Sequence, residues 1–418
     1  MDKTTLYVKH VGPIEEVRLD VKRINLFLGP QSSGKSTLAK ILSQALWAEK
    51  NFLTMGEESD FFKELKDFHN MDRTYFSNKA LEVVYDSPWC EISMRYEDEE
   101  RRNPQTFYKK KENRNLYHNI KIEYIPAERN FVSSIANIRK YTETYNSVVS
   151  FLEDWSAAKE KYQNGKRFSI ELNDLTFSYR YIESSKQDLV CLGKEKEVRL
   201  QSASSGQQSI LPLLLITEEV MEIVYDKQKI FSPEEQAHIR RLTQDESMAA
   251  FVDVIGAMNK QSRTKEVEDQ LNELWKRLGY IGNYCGTHLV IEEPEQNLYP
   301  STQRGLLQHL VSLLIKDKAR NHTLTLTTHS PFILYALDNC MLAGMAVDRG
   351  KAEKLDATTR ESAISPKDVG LWLLRDGGII SLQDEKDHLL NKDLFNDEFQ
   401  ENNERIFQLL NILENEEE

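Results

Sequence analysis

The sequence predicts an α/β fold: a core of mixed sheet and helices, an antiparallel β lobe and a helical insertion. Three observations predict it. The apolar run Ile24–Leu28 leads straight into Gly29-Pro30-Gln31-Ser32-Ser33-Gly34-Lys35-Ser36 and then into a segment with helical period. A second apolar run, at 289–291, ends in Glu292 and Glu293. A third, at 324–328, ends in His329. Each is a short buried-type strand that delivers polar residues at its C-terminal end.

The elements follow in order. Residues 6–9 and 16–19 read as strands around a Gly12-Pro13 turn, and 24–28 as the buried strand before the glycine loop. After Lys35, the spacing of Leu38, Ile41, Leu42 and Leu46 predicts a helix. Residues 51–119 mix strand and helix signals, with 89–96 the best strand, and read as an antiparallel sheet and lobe. Residues 120–125 form another apolar strand, closed by Pro126-Ala127-Glu128-Arg129. A helix is expected over 141–162, ending near Asn164-Gly165, then one or two strands over 168–181. Ala203-Ser204-Ser205-Gly206-Gln207-Gln208 opens an apolar helix carrying Ile210, Leu213, Leu214, Leu215 and Val220. A charged helical insertion follows over 221–278. Within it Ser232 is an N-cap, Pro233 stands at the first helical position, and Glu235 completes a capping box. Repeats and sustained heptads are absent.

A chain of 418 residues is long enough for two or three domains. The expected division is a core at 1–342, with the lobe and insertion inside it, and an extension at 343–418 that packs on the core. Hydrophobic residues at 40% and charged residues at 29% fit a globular protein rather than a disordered one. No apolar run approaches the ~18 residues that cross a bilayer, so no membrane partner is expected. The N-terminus has no basic-then-apolar leader. Cys90, Cys191, Cys285 and Cys340 form no CxxC, which predicts reduced thiols and a cytoplasmic location. The net charge of −13 argues against a uniformly basic surface that coats DNA. One basic cluster remains: Arg101, Arg102, Lys109, Lys110, Lys111 and Arg114, with Tyr108 and Tyr117 nearby. It reads first as a solvated loop or hairpin, and otherwise as a contact for nucleic acid or a partner.

The loop from Gly29 to Ser36 is a complete Walker A sequence. Gly29 and Gly34 let the main chain approach phosphate oxygens, and the N–H groups of Pro30-flanking Gln31, Ser32 and Ser33 add an anion cradle. The helix that begins with Lys35, Ser36 and Thr37 points its positive end at the same place. Lys35 supplies a point charge for the β- and γ-phosphates of ATP, and the Ser36 hydroxyl a ligand for Mg²⁺. Glu292 and Glu293 end a strand as a Walker B pair does. Glu292 reaches the Mg²⁺ shell and Glu293 is the general base or water positioner. His329 ends a later strand in the context Thr-Thr-His-Ser-Pro, where a switch histidine meets the γ-phosphate. Ser204, Ser205 and Gly206 cap a helix, and an exposed helix N-terminus also binds anions.

These residues resemble the ABC/SMC-like P-loop ATPases, within them the stand-alone prokaryotic branch that shares its head with OLD-family nucleases and PARIS-type anti-phage ATPases. The likeness rests on Gly-Pro-Gln-Ser-Ser-Gly-Lys-Ser-Thr, Ser-Ser-Gly-Gln-Gln, Ile-Glu-Glu-Pro-Glu-Gln-Asn-Leu-Tyr-Pro and Thr-Thr-His-Ser-Pro, and spans residues 4–342. It implies an ABC-type head that binds and hydrolyses ATP with Mg²⁺. It also implies that Ser204, Ser205, Gly206 and Gln207 act as a degenerate signature, closing on ATP held by a second copy in a homodimer or higher homo-oligomer. Residues 295–300 match the D-loop, with Asn297 its carried-over residue, and Glu128 or Arg129 stands at the Q-loop position, where there is no Gln. The chain departs from the family in its long signature-to-Walker B spacing and its lack of coiled-coil arms. It lacks a TOPRIM centre too: Asp384, Glu385 and Asp387 are too few and sit in a polar, helix-like stretch. The implied role is regulation of a separate effector, such as a nuclease or toxin, in anti-phage defence. The alternative is a DNA-binding repair or chromosome-associated ATPase. A transporter subunit fits the spacing poorly, and a dead scaffold fits Lys35, Ser36, Glu293 and His329 poorly.

Overall fold

The computed structural model describes residues 3–98, 100–113, 117–133, 145–192, 196–223, 284–317 and 320–391. The expected insertion beyond 223, its Ser232 cap, Arg114 and residues 392–418 lie outside them. Strands β1 (Thr4–Val11) and β2 (Ile14–Val21) form the first hairpin, then β3 (Ile24–Leu28) and α1 (Lys35–Met55). Helix α2 (Phe61–Asp67) and a 3-10 turn (Arg73–Phe76) lead to β4 (Glu82–Asp86), β5 (Cys90–Arg95), β6 (Gln105–Lys110) and β7 (Ile120–Ile125). A 3-10 segment (Ala127–Ser133) precedes α3 (Ser147–Glu160), then β8 (Phe168–Leu172), β9 (Leu175–Ile182), β10 (Gln187–Leu192), β11 (Lys196–Arg199) and α4 (Ser205–Ile223). The chain continues with β12 (Gly286–Glu292), α5 (Pro300–Ile315), β13 (Thr323–Thr328), α6 (Pro331–Asp348), α7 (Ala357–Glu361), β14 (Val369–Arg375) and β15 (Gly378–Ser381).

The fold is α/β, with one mixed and two antiparallel sheets. The central sheet has the order β15-β14-β3-β13-β12-β7. Its strands from β14 to β7 run parallel, and only β15 runs antiparallel. Register fixes what matters for function. Leu28 pairs with Thr328, and Glu292 with Thr327, so the C-terminal ends of β3, β13 and β12 lie side by side. Residues some 260 and 300 positions apart thereby meet at one sheet edge.

Alternation along β3 explains why the sheet is covered on both faces. Ile24, Leu26 and Leu28 enter a core shared with α3, α4, α5 and α6. Phe27 points the other way, into a core shared with α1, α2 and the β1–β6 sheet. All five β3 side chains are buried, the near-continuous burial expected of a parallel strand. Helix α1 is bracketed by left-handed glycines: Gly34 stands at φ 99° before it, and Gly56 at φ 73° closes it, donating to the Phe52 carbonyl at 3.1 Å.

Several sequence expectations change in three dimensions. Residues 51–119 do not stand apart from the N-terminal hairpin. Strand β4 pairs with β1, so β2-β1-β4-β5-β6 make one five-stranded antiparallel sheet. The helix expected from 141 begins at Ser147, because the Asn146 side chain accepts from the N–H groups of Val148 and Val149 and sets the N-cap there. The expected boundary at 342 falls inside α6, and β14 from beyond it enters the central sheet parallel to β3. The polar stretch at 384–387 is a turn rather than helix-like. The Asp384 side chain accepts from Lys386 N–H, and a bridge joins Gln383 to Leu390. Among the described residues no helix is long and apolar enough to cross a membrane.

Candidate functional site

The loop between β3 and α1 needs its glycines. Gly29 stands at φ 154°, and a Cβ there would lie 2.3 Å from the Leu374 carbonyl of β14. Gly34 is left-handed, and its Cβ would meet the Ile14 side chain at 2.8 Å. Ser32 adopts φ 61°, so the loop curls its N–H groups around one point. Lys35 is 5% exposed. Its ammonium curls back to donate to the carbonyls of Gly29 at 2.9 Å and Pro30 at 2.6 Å. Burial lowers its pKa, while the carboxylates of Glu293, Glu295 and Glu292 oppose that shift.

The two Walker B carboxylates have different settings. Glu292 is buried, and both its oxygens are held. Ser36 Oγ donates to Oε2 at 3.2 Å, and the phenol of buried Tyr124 donates to Oε1. Glu293 is half-exposed at the rim, with Oε1 3.4 Å from His329 Nε2. His329 Nδ1 lies 3.4 Å from Lys35 Nζ. An ammonium only donates, so Nδ1 accepts, which places the ring proton on Nε2, facing Glu293. The His329 N–H donates to Glu295 Oε1 at 2.8 Å. Gln31, Ser32, Gly34, Lys35, Ser36, Thr37, Glu293 and His329 line one open cavity of about 730 Å³, together with Gly12, Pro13, Thr74 and Tyr75.

This donor set fits a nucleotide triphosphate and a divalent cation. The Ser33 hydroxyl is buried without a hydrogen-bond partner, and Lys35 rests only on loop carbonyls and an imidazole. Lys35, which lines the cavity, could turn from those carbonyls to phosphate oxygens. Ser36 and Glu292, already in contact, would hold Mg²⁺ through a hydroxyl and a carboxylate.

The signature-like residues form a second group. Ser204 and Gln207 make a reciprocal capping box: Gln207 N–H donates to Ser204 Oγ at 3.3 Å, and Ser204 N–H to Gln207 Oε1 at 3.1 Å. Gln207 is thus buried in the cap, while Ser204 and Ser205 are exposed at the helix start. A Cβ on Gly206 would lie 2.9 Å from the carbonyl of Asn297, itself left-handed at φ 61°. Expected D-loop and signature residues therefore touch. Neither lines the cavity around Lys35.

Arg129, one of the two Q-loop candidates, is fully buried, and its guanidinium donates only to main-chain carbonyls. Sequence reasoning does not single out Tyr124, Thr74 or Tyr75 as site residues, whereas Glu295 lies in the stretch matched to the D-loop. An aromatic inside an apolar strand carries no sign that its hydroxyl meets a distant carboxylate, and Thr74-Tyr75 lies in a segment without a motif. The basic cluster is partly neutralised. Lys111 is paired with Asp86, and Lys109 stands opposite Glu91.

No family model matches the chain, and no curated protein matches it. Solved structures do. The SMC head domain from Thermotoga maritima is 10% identical, with 92% of this chain and 100% of that chain covered and a TM-score of 0.37. The Pyrococcus furiosus Smc head with an extended coiled coil, bound to the C-terminal domain of ScpA, is 10% identical over 91% and 96% of the two chains, with a TM-score of 0.35. The recombination mediator RecF with ATP is 11% identical over 91% and 97%, with a TM-score of 0.33.

Proposed function

We propose that this chain is an ABC/SMC-like ATPase that binds ATP with Mg²⁺ and hydrolyses it when two copies close over the nucleotide. One observation carries the reading: Lys35, Ser36, Glu292, Glu293 and His329 converge at the C-terminal ends of β3, β12 and β13, where His329 lies 3.4 Å from both Lys35 and Glu293, and Ser36 meets Glu292 at 3.2 Å. The loop N–H groups and Lys35 bind the phosphates. Mg²⁺ would supply charge neutralisation on the β- and γ-phosphates. Glu293 positions the attacking water and draws off its proton, and ADP and inorganic phosphate leave. His329, with its Nε2 proton toward Glu293, holds that carboxylate in line.

The exposed start of α4, outside the cavity of its own chain, supports completion by a second copy. Its free N–H groups are a ready anion site. Control of a separate effector, such as a nuclease or toxin in anti-phage defence, is supported by the motif resemblance alone and is proposed on that basis. Glu293→Gln tests the hydrolytic reading. It is expected to keep ATP binding, to lose turnover by at least about 100-fold, and to accumulate an ATP-bound pair by light scattering. Turnover within a few-fold of wild type would remove Glu293 from its role.

A further inference from the structure

Glu293 stands at φ 44°, left-handed for a residue with a side chain. Such a residue stays there only where its surroundings hold it. Here its N–H donates to the Thr327 carbonyl of β13 at 2.9 Å, and its own carbonyl accepts from Arg129 Nη2 at 2.6 Å. Arg129 does more with the same plane of atoms. Nη1 donates to the Glu292 carbonyl at 2.7 Å, and Nε to the Ser209 carbonyl of α4 at 3.1 Å. One buried guanidinium thus joins the two consecutive Walker B peptides to the second turn of the helix whose exposed start is Ser204-Ser205. Its charge meets no carboxylate directly: burial lowers its pKa to about 10, and the carboxylates of Glu295, Glu293, Glu292 and Glu128 oppose that shift.

We infer that Arg129 is a positioning residue that holds Glu293 in its left-handed peptide and ties it to α4, so that engagement of α4 by a second copy and orientation of the water-positioning carboxylate are one event. The inference rests on the proposed ATP sandwich. It also explains why an arginine is needed. The fork places three nitrogens in fixed directions on carbonyls of two elements, and a lysine offers one compact ammonium on a flexible stem. The side chain touches neither the cavity nor the exposed helix start, so it acts through the backbone of others.

The test is Arg129→Lys in the full chain, measured for ATP affinity, ATP-dependent mass, kcat and thermal midpoint. The ATP-bound pair is expected to form, with affinity within about threefold of wild type, while kcat falls at least about tenfold, the split of a group that acts on the chemical step alone. Unchanged kcat overturns the inference. So does a fall of affinity, pairing and kcat together, which a purely structural residue would give. If the variant does not fold, hydrogen–deuterium exchange on the wild type decides. Slowed exchange at 127–133 together with 205–210 on adding ATP and Mg²⁺ supports the coupling, and slowing at 205–210 alone overturns it. A wild type that neither binds ATP nor pairs overturns the underlying sandwich, and the inference with it.

Discussion

Among the described residues, His69, His288, His322 and Glu49 are buried groups whose shifts bear on stability in acid. Burial holds His69 and His288 neutral, with pKa values pushed down to about 3. His288 is bonded at both nitrogens to Thr323 and Thr325, while His69 Nδ1 has no partner. In the unfolded chain each protonates near the ordinary value of about 6.5. Below that pH the unfolded state binds more protons, so each histidine lowers stability by about 1.4 kcal/mol per pH unit as pH falls toward the folded value. Glu49 works in the opposite sense. Burial raises its pKa to about 7, so between its ordinary carboxylate range and 7 the folded state binds the extra proton. The opposing histidines, with His322 also pushed down by burial to about 4, outweigh it. Denaturant midpoints are therefore expected to fall as pH drops below about 6.5, and to fall more steeply below about 4.5, where Glu49 is protonated in both states. A midpoint that is flat from pH 7 to pH 4 would contradict the burial of these histidines. At this scale the sequence was legible wherever a residue type has a fixed chemistry. Lys35, Ser36, Glu292, Glu293 and His329 meet as their types and strand-end positions suggest. Tyr124, and the reach of Arg129, were not legible in the same way. Arg129 bonds main-chain carbonyls, which every residue offers, so its partners leave no mark on the sequence.

The elements that were read best are those whose signals are local. The hairpin around Gly12-Pro13, the buried strand β3 and the helix after Lys35 all follow from period and turn residues over a few positions. Strand β14 shows the limit. Its alternation is visible in Val369 and Leu371, but its partner, β3, lies some 340 residues earlier, and nothing local specifies a parallel register. The same holds for β4, which adds to β1 rather than founding a separate lobe. The late strand also matters for the loop, since the Leu374 carbonyl closes the space where a side chain at Gly29 would go. Gly29→Ala is accordingly expected to destabilise the protein by about 2 kcal/mol or more, through overpacking and an unfavourable backbone angle. It should weaken ATP binding as well. A urea midpoint indistinguishable from wild type would show that β14 does not press on the loop.

For the whole molecule, the arrangement divides the labour between two surfaces of one chain. One is the cavity with Lys35 and Glu293, and the other the exposed start of α4 with Asn297 against Gly206. Two such chains related by a twofold axis would present each surface to the other, because an isologous pair repeats every contact. In the proposed sandwich ATP would act as the joint of the assembly, and its hydrolysis as the release. Both the joint and the further step to effector control belong to the proposal, the second on the motif resemblance alone.

The central claim is that a working site takes its halves from two copies, and mixing crippled copies tests it most directly. Lys35→Ala removes the phosphate ammonium and leaves α4 intact. Ser205→Arg blocks the exposed helix start and leaves the cavity intact. Each variant alone is expected to show negligible ATPase activity. An equimolar mixture is expected to recover about a quarter of the wild-type rate, since half of randomly formed pairs are mixed and each holds one complete site of two. No recovery at any ratio, or full activity of Ser205→Arg alone, would contradict a site shared between copies.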